Sequence, residues 1–344
     1  MTNTYDDRAI SRWLLVCALM IFAMVILGGV TRLTGSGLSM VKWHPIHGVV
    51  PPMNQQQWDE EFENYQQSPE FTKINRHMDV DGFKQIFYFE YSHRILGRLI
   101  GVVFLLPFLF FYFRKKIRPG LTPKLIFMFF LGGLQGLLGW YMVKSGLVDN
   151  PHVSQYRLTA HLLAAIVIYA FILWTAFSLM TPKQRVSRSE SSAGGFRRAA
   201  HYFLLLVLIT IISGGFVAGL KAGLIFNTFP KMGDQWIPDG ILSLSPVYLN
   251  FFENLVTVQF DHRVLALTTA TLLLVYWWKS RAAGFDRATA RSFNLIAIMV
   301  VVQVTLGIST LLLHVPVPVA ASHQAGALLL FSAVLFNLHK LTRV

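Results

Sequence analysis

Apolar positions along the chain gather into eight runs, at 13–30, 88–113, 125–143, 158–180, 202–220, 256–278, 293–313 and 319–338. Each is near the ~20 residues that a helix needs to cross ~30 Å of hydrocarbon. A backbone in lipid must satisfy its polar groups within its own segment, so the runs predict helices. The polar stretches between them alternate in charge. Basic residues stand before the first run (Arg8, Arg12), then in every second gap: Arg114, Lys115, Lys116, Arg118 and Lys124; Lys183, Arg185, Arg188, Arg197 and Arg198; Lys279, Arg281, Arg287 and Arg291. Lys340 and Arg343 follow the last run. Most acids fall in the opposite gaps, as Asp59, Glu60, Glu61, Glu63, Asp79, Asp81, Asp234 and Asp239. Basic loops face the cytoplasm. The pattern therefore predicts an all-α integral membrane protein with eight transmembrane helices and both termini cytoplasmic.

The runs also repeat. EYSHRILGR at 90–98, GGLQGLLGW at 132–140 and LTAHLLAA at 158–165 return as QFDHRVLAL at 259–267, VVQVTLGIS at 301–309 and ASHQAGALL at 321–329. His93 aligns with His262, Gln135 with Gln303, Gly139 with Gly307 and His161 with His323; Gly28-Gly29-Val30 aligns with Gly214-Gly215-Phe216. Repetition at this scale predicts two pseudo-symmetric four-helix bundles, at 1–182 and 199–344, joined by a cytoplasmic linker at 183–198. The first bundle carries a long outer loop at 32–86, rich in Gly, Pro, Trp and acids. A loop of that length is expected to be an ordered lid. Its counterpart spans 221–253.

Charge and cysteine content change the picture little. The net charge of +13 follows from the basic loops, and no basic stripe interleaved with aromatics points to nucleic acid. The first run lacks a small-residue cleavage site and is expected to stay in the membrane. Cys17 is the one cysteine, so no disulfide forms within the chain and no multi-cysteine metal site exists.

The four repeat-matched histidines each begin an even-numbered run, which starts at the outer face. Each bundle thus holds two imidazoles at one depth, on its second and fourth helices, whether those are diagonal or adjacent. Facing neutral imidazoles suit axial ligation of a haem iron; the competing reading is a hydrogen bond between helices. The remaining histidines (His44, His47, His77, His152, His201, His314, His339) are expected to be mostly solvated, with His152 and His314 outer-facing.

Glu90 lies one helical turn before His93, on the same face. A carboxylate there either handles protons or a developing cation beside the macrocycle, or caps the helix start. Gln259 takes its place in the second copy and cannot transfer protons at ordinary pH. The two sites are therefore alike in ligands and unlike in reactivity. Arg94, Arg98 and Arg263 are candidate contacts for haem propionates or lipid phosphates; Arg98 has Leu267 as its counterpart. The matched glycines make room for close packing, and the glutamines hydrogen-bond between helices or to a ring edge. Trp13, Trp140, Trp174, Trp277 and Trp278 read as interface anchors.

EYSHR with a downstream TAH, then DHR with SHQ, on eight spans, resembles the haem A synthases. GGVTRLTGSGLSMVKWHPIHGVVPP at 28–52, QWDEEFENYQQSPEF at 57–71 and FNTFPKMGDQWIP at 226–238 resemble the proteobacterial and mitochondrial branch. The branch with cysteine pairs in its outer loops is not matched. The resemblance covers nearly the whole chain. It implies an inner-membrane, multi-pass oxidoreductase that oxidises the C8 methyl of haem O to a formyl group. Successive hydroxylation and loss of water from the diol would give the aldehyde. It further implies a permanent haem b on His262 and His323, the substrate haem on His93 and His161, and Glu90 as the catalytic residue, with both sites toward the outer face. Candidate partners are the bilayer, haem O, a haem O synthase and factors that assemble terminal oxidases; the electron donor is unknown. Two other classes carry the same four histidines. One is a quinol-linked di-haem electron-transfer protein, which would usually place its haems at opposite faces. The other is a haem carrier.

Overall fold

The computed structural model describes residues 5–42, 47–148, 151–180 and 190–343. Among these the chain is helical and has no strand: α1 (Asp7–Leu33), α2 (Gln55–Gln66), α3 (Pro69–Lys73), α4 (Val80–Phe113), α5 (Thr122–Lys144), α6 (Gln155–Met180), α7 (Glu190–Leu220), α8 (Asn250–Glu253), α9 (Leu255–Ser280), α10 (Arg287–Leu312) and α11 (Val317–Leu341). Of the described helices, 7 are long and apolar enough to cross a membrane: α1, α4, α5, α6, α7, α10 and α11. The eighth predicted run is helical as α9, 26 residues long. Gln259, Asp261, His262, Arg263 and four threonines dilute its hydropathy, so composition alone does not mark it as a span. The molecule is an all-α, multi-pass membrane protein.

Local chemistry sets where helices begin. Asn54, Asp79, Asn254 and Asp286 each sit in extended backbone and accept a hydrogen bond from the first turn of α2, α4, α9 and α10. Such caps satisfy amides that have no partner within the helix. Asp79 matters most, because it starts α4 well before the apolar run at 88–113. At 1.5 Å per residue the 34 residues of α4 extend ~51 Å, ~20 Å more than hydrocarbon requires. The surplus turns carry Phe83, Ile86 and Phe87 into a buried cluster with Met40, Trp58, Phe62 and Tyr65. The described residues between α1 and α4 thus form a body with its own core, as the length of the segment suggests.

Compactness divides the chain into two units, Trp13–Ile168 with Met1–Asp6, and Tyr169–Val344 with Asp7–Arg12. These boundaries fall within α6 and α1. The expected junction at 182/183, with Lys183, Arg185 and Arg188, lies outside the described residues, as does His44. In the second unit α9 packs on α7 and α10, and α11 packs on the same two helices. The helices bearing His262 and His323 are therefore diagonal. In the first unit α4 packs on α5, and the Trp13 indole N–H on α1 donates to the Val103 carbonyl of α4 at 2.8 Å.

Two expectations need correction. Trp13 is not an interface anchor: it is 7% exposed and packs on Phe104 and Phe111, since its one N–H finds a carbonyl inside the bundle. His339 is not solvated: it is 1% exposed and lies against the rings of Trp174 and Phe177. Cys17 is buried and unpaired, as expected.

Candidate haem-ligand sites

Each unit brings two imidazoles together. His93 on α4 and His161 on α6 lie within electrostatic reach of each other, as do His262 on α9 and His323 on α11. Behind each ring is one of the repeat-matched glycines. A Cβ placed on Gly28 or Gly214 would stand 3.0 Å from His93 Nε2 or 3.1 Å from His262 Cε1. On Gly139 or Gly307 it would stand 2.9 Å and 2.8 Å from Cε1 of His161 and His323. Any side chain at the latter two would collide with the ring. Glycine there lets the neighbouring helix support the imidazole at van der Waals distance, so the ring cannot lean away from the bundle interior.

The glutamines act as expected. Gln135 Nε2 donates to the His161 carbonyl at 2.8 Å, and Gln303 Nε2 donates to the His323 carbonyl at 3.0 Å. Those carbonyls lie in the second turns of α6 and α11, and the two bonds tie α5 to α6 and α10 to α11. Beyond this the copies diverge. Gln303 Nε2 also lies 3.1 Å from His323 Nδ1, in a space left by Gly326, where a Cβ would stand 2.3 Å from Gln303 Oε1. Ala164 occupies that position in the first copy, and His161 Nδ1 is buried without a hydrogen-bond partner. Ser213 Oγ lies 2.8 Å from His262 Nδ1; Leu27 stands at its matched position. The sequence comparison did not single out Ser213, although it directly precedes the aligned Gly214.

Glu90 is 3% exposed and lies ten positions after the start of α4. A capping role at the helix start is therefore excluded, because the dipole acts only within the first turn. Its carboxylate instead holds the chain that follows α1. Oε2 accepts from Ser39 Oγ at 2.7 Å and from the Met40 amide at 2.8 Å. Oε1 accepts from Arg94 Nη2 at 2.6 Å and Nε at 3.1 Å. Arg94 Nη2 also donates to the Met40 carbonyl at 2.9 Å. The second copy repeats the device with different polarity. Gln259 Nε2 and Arg263 Nη2 both donate to the Phe226 carbonyl, at 2.9 and 2.8 Å, and Arg263 Nη1 reaches the Thr228 carbonyl at 2.8 Å. Counted from the aligned glycines, Met40 and Phe226 occupy the same position. Each unit thus has a strap, pinned to residues one turn before and one residue after its first histidine.

Of the three arginines considered for propionates or lipid phosphates, Arg94 and Arg263 donate to the straps. Arg263 Nε alone is buried with no acceptor. Arg98 is half-buried on α4. Among the described residues no group of three or more His, Cys, Asp or Glu gathers, so each pair offers a metal two imidazoles. A haem iron fits that donor set, because its macrocycle supplies the four in-plane ligands. The glycine backing fits it too, since no side chain crowds the rings from behind.

An all-helical, multi-pass membrane protein with two imidazole pairs on repeat-matched helices is the class that fold and site define. The chain belongs to the cytochrome oxidase assembly protein family, whose profile matches residues 11–335. Heme A synthase of Nitrosospira multiformis is 53% identical over 337 residues, 98% of this chain and 94% of that protein. Human heme A synthase is 47% identical over 344 residues, 98% of this chain and 84% of that protein. The Arabidopsis thaliana enzyme is 46% identical, covering 96% of this chain and 74% of its own length.

Proposed function

We propose that the protein is a haem A synthase, an oxidoreductase that converts the C8 methyl of haem O to a formyl group. Named relatives across nearly the full chain support the activity. The observation that carries the division of labour is the asymmetry between matched sites: Glu90 beside His93, against Gln259 beside His262. On this reading His262 and His323 hold haem b, which supplies one-electron transfer when bound. His93 and His161 hold the substrate haem. Glu90 is the catalytic carboxylate of the first site, one turn from His93. Its hydrogen bonds to Ser39, Met40 and Arg94 place it and, at the same time, close the strap over the outer end of α4.

The topology belongs to the same proposal. Eight helices cross the membrane, α9 included, with both termini cytoplasmic and both histidine pairs toward the outer face of the cell's inner membrane. The alternating basic loops support this orientation. So does the position of His161, His262 and His323 near the start of α6, α9 and α11 and of His93 near the start of the apolar run of α4, with most of each run continuing toward the basic side. Two sites at one depth suit electron passage sideways and not across the membrane. Pigment analysis of the purified full-length protein tests the reading. Haem b together with haem O, a hydroxylated intermediate or haem A is the expected result. Haem b alone at two per chain would identify an electron-transfer protein instead.

A further inference from the structure

The two pairs differ in what touches the far edge of their rings. In the second unit Ser213 Oγ lies 2.8 Å from the Thr210 carbonyl and 2.8 Å from His262 Nδ1. A hydroxyl has one hydrogen and a carbonyl can only accept, so that hydrogen belongs to Thr210. Toward His262 the serine oxygen must then accept, which places the imidazole proton on Nδ1. The remaining nitrogen, Nε2, keeps its lone pair for a metal. Thr210 is itself tied down, with Oγ1 2.8 Å from the Leu206 carbonyl and 2.8 Å from Thr269 Oγ1. The chain of contacts runs from α9 through α7 and back to α9.

None of this exists in the first unit. Leu27, Met24 and Ile100 stand where the second copy has Ser213, Thr210 and Thr269. The His93 ring is turned as well. It presents Nε2 and Cδ2 to Gly28, whereas His262 presents Cε1 and Nδ1 to Gly214. Its partner His161 has an unpartnered Nδ1. A ring whose outer nitrogen has an acceptor is fixed in tautomer and rotation, and it binds metal more tightly, commonly by 10–100-fold.

We propose that Ser213 is a positioning residue for the iron ligand His262, and that this hydrogen bond, which Leu27 cannot make, is what renders the second site permanent and the first exchangeable. The inference rests on the assignment of haem b to His262 and His323. It explains how two pairs of identical ligands serve a cofactor that stays and a substrate that must leave.

The test uses detergent-purified full-length protein carrying Ser213→Ala, Ser213→Thr or Leu27→Ser. Three quantities are read: haem b per chain after washing, the midpoint potential of the low-spin haem, and its low-spin electron paramagnetic resonance signal. Ser213→Ala is expected to weaken haem b retention ~10–100-fold and to raise the potential, because the imidazole donates less electron density. Ser213→Thr, which keeps the hydroxyl, restores both. Wild-type stoichiometry and potential in Ser213→Ala overturn the inference. If Ser213→Ala does not accumulate in the membrane, Leu27→Ser decides: slower loss of the exchangeable haem supports the proposal, and unchanged loss overturns it. A b-type spectrum that survives His262→Ala is a separate result, and removes the underlying assignment together with this inference.

Discussion

The stretches around the first histidines of α4 and α9 are the same device built with opposite polarity. Both helices pin a strap at positions −3 and +1 from a histidine, and both use an arginine at +1 to hold the strap carbonyl. At −3 the first unit has a carboxylate that accepts from the Met40 amide, and the second has an amide that donates to the Phe226 carbonyl. The difference teaches that Glu90 and Gln259 are not simply a reactive residue and its blank. Each also fits a strap that presents the complementary group, so exchanging one for the other disturbs chemistry and architecture together.

The largest effect is expected from the iron ligands. His262→Ala or His323→Ala should abolish stably bound haem b, while His93→Ala should spare it. A full b-type spectrum in either of the first two variants breaks the assignment of roles to the halves.

Next comes Glu90→Gln, which should keep haem b and lose most haem A formation in cells. The new amide turns a donor toward Arg94, and breaking a buried ion pair from one side costs about 3–5 kcal/mol. Ser39→Ala and Arg94→Met are therefore needed beside it, since they weaken the strap but retain the carboxylate. Haem A formation that falls as far in those variants as in Glu90→Gln would reduce Glu90 to a strap anchor.

A smaller effect should follow from crowding the rings. Gly307→Ala should loosen haem b, and Gly139→Ala should impair turnover without touching the haem b spectrum, each through overpacking of about 1–3 kcal/mol. Equal loss of haem b in both variants would show that the halves do not act separately.

The smallest prediction concerns the third helices. α10 is capped by Asp286, whereas the N-cap of α5, Leu121, has no side-chain hydrogen bond. Asp286→Ala should cost about 1 kcal/mol, read as a lower midpoint of thermal unfolding in detergent. Hydrogen bonding to Thr289 holds the Asp286 carboxyl below its ordinary value. Its contribution is therefore complete above the usual carboxylate range and disappears as pH falls through the lowered folded value. Wild type and variant should converge in strongly acid buffer; a constant difference there excludes the cap as the cause.

Much of this was legible in the chain. Apolar runs gave the helices, and the aligned histidines, glycines and glutamines marked the sites, because duplication preserves spacing on a helix face. The start of α4 was not legible from hydropathy. It is set by the Asp79 cap and by Phe83 and Phe87, which bury themselves against Trp58, Phe62 and Tyr65 and not in lipid. The partners of Glu90 were hidden for a different reason: Ser39 and Met40 are some fifty residues away along the chain, and a bond between a side chain and a loop amide leaves no periodic trace. The strap acceptors of Arg94 and Arg263 were hidden because they are backbone carbonyls, at Met40, Phe226 and Thr228, which carry no sequence signal at all.

The unbroken length of α4 has one more consequence. His93 lies thirteen residues beyond Val80, ~20 Å along one rod, and the far end of that rod is embedded in the aromatic core around Trp58 and Tyr65. In the second unit Asn254 breaks the chain between α8 and α9, only eight residues before His262. The first histidine thus rides on a lever whose handle is the body between α1 and α4, and the second is mounted on a short stub. Tilting that body swings His93 directly. Motion of the loop at 221–253 reaches its histidine only across a joint.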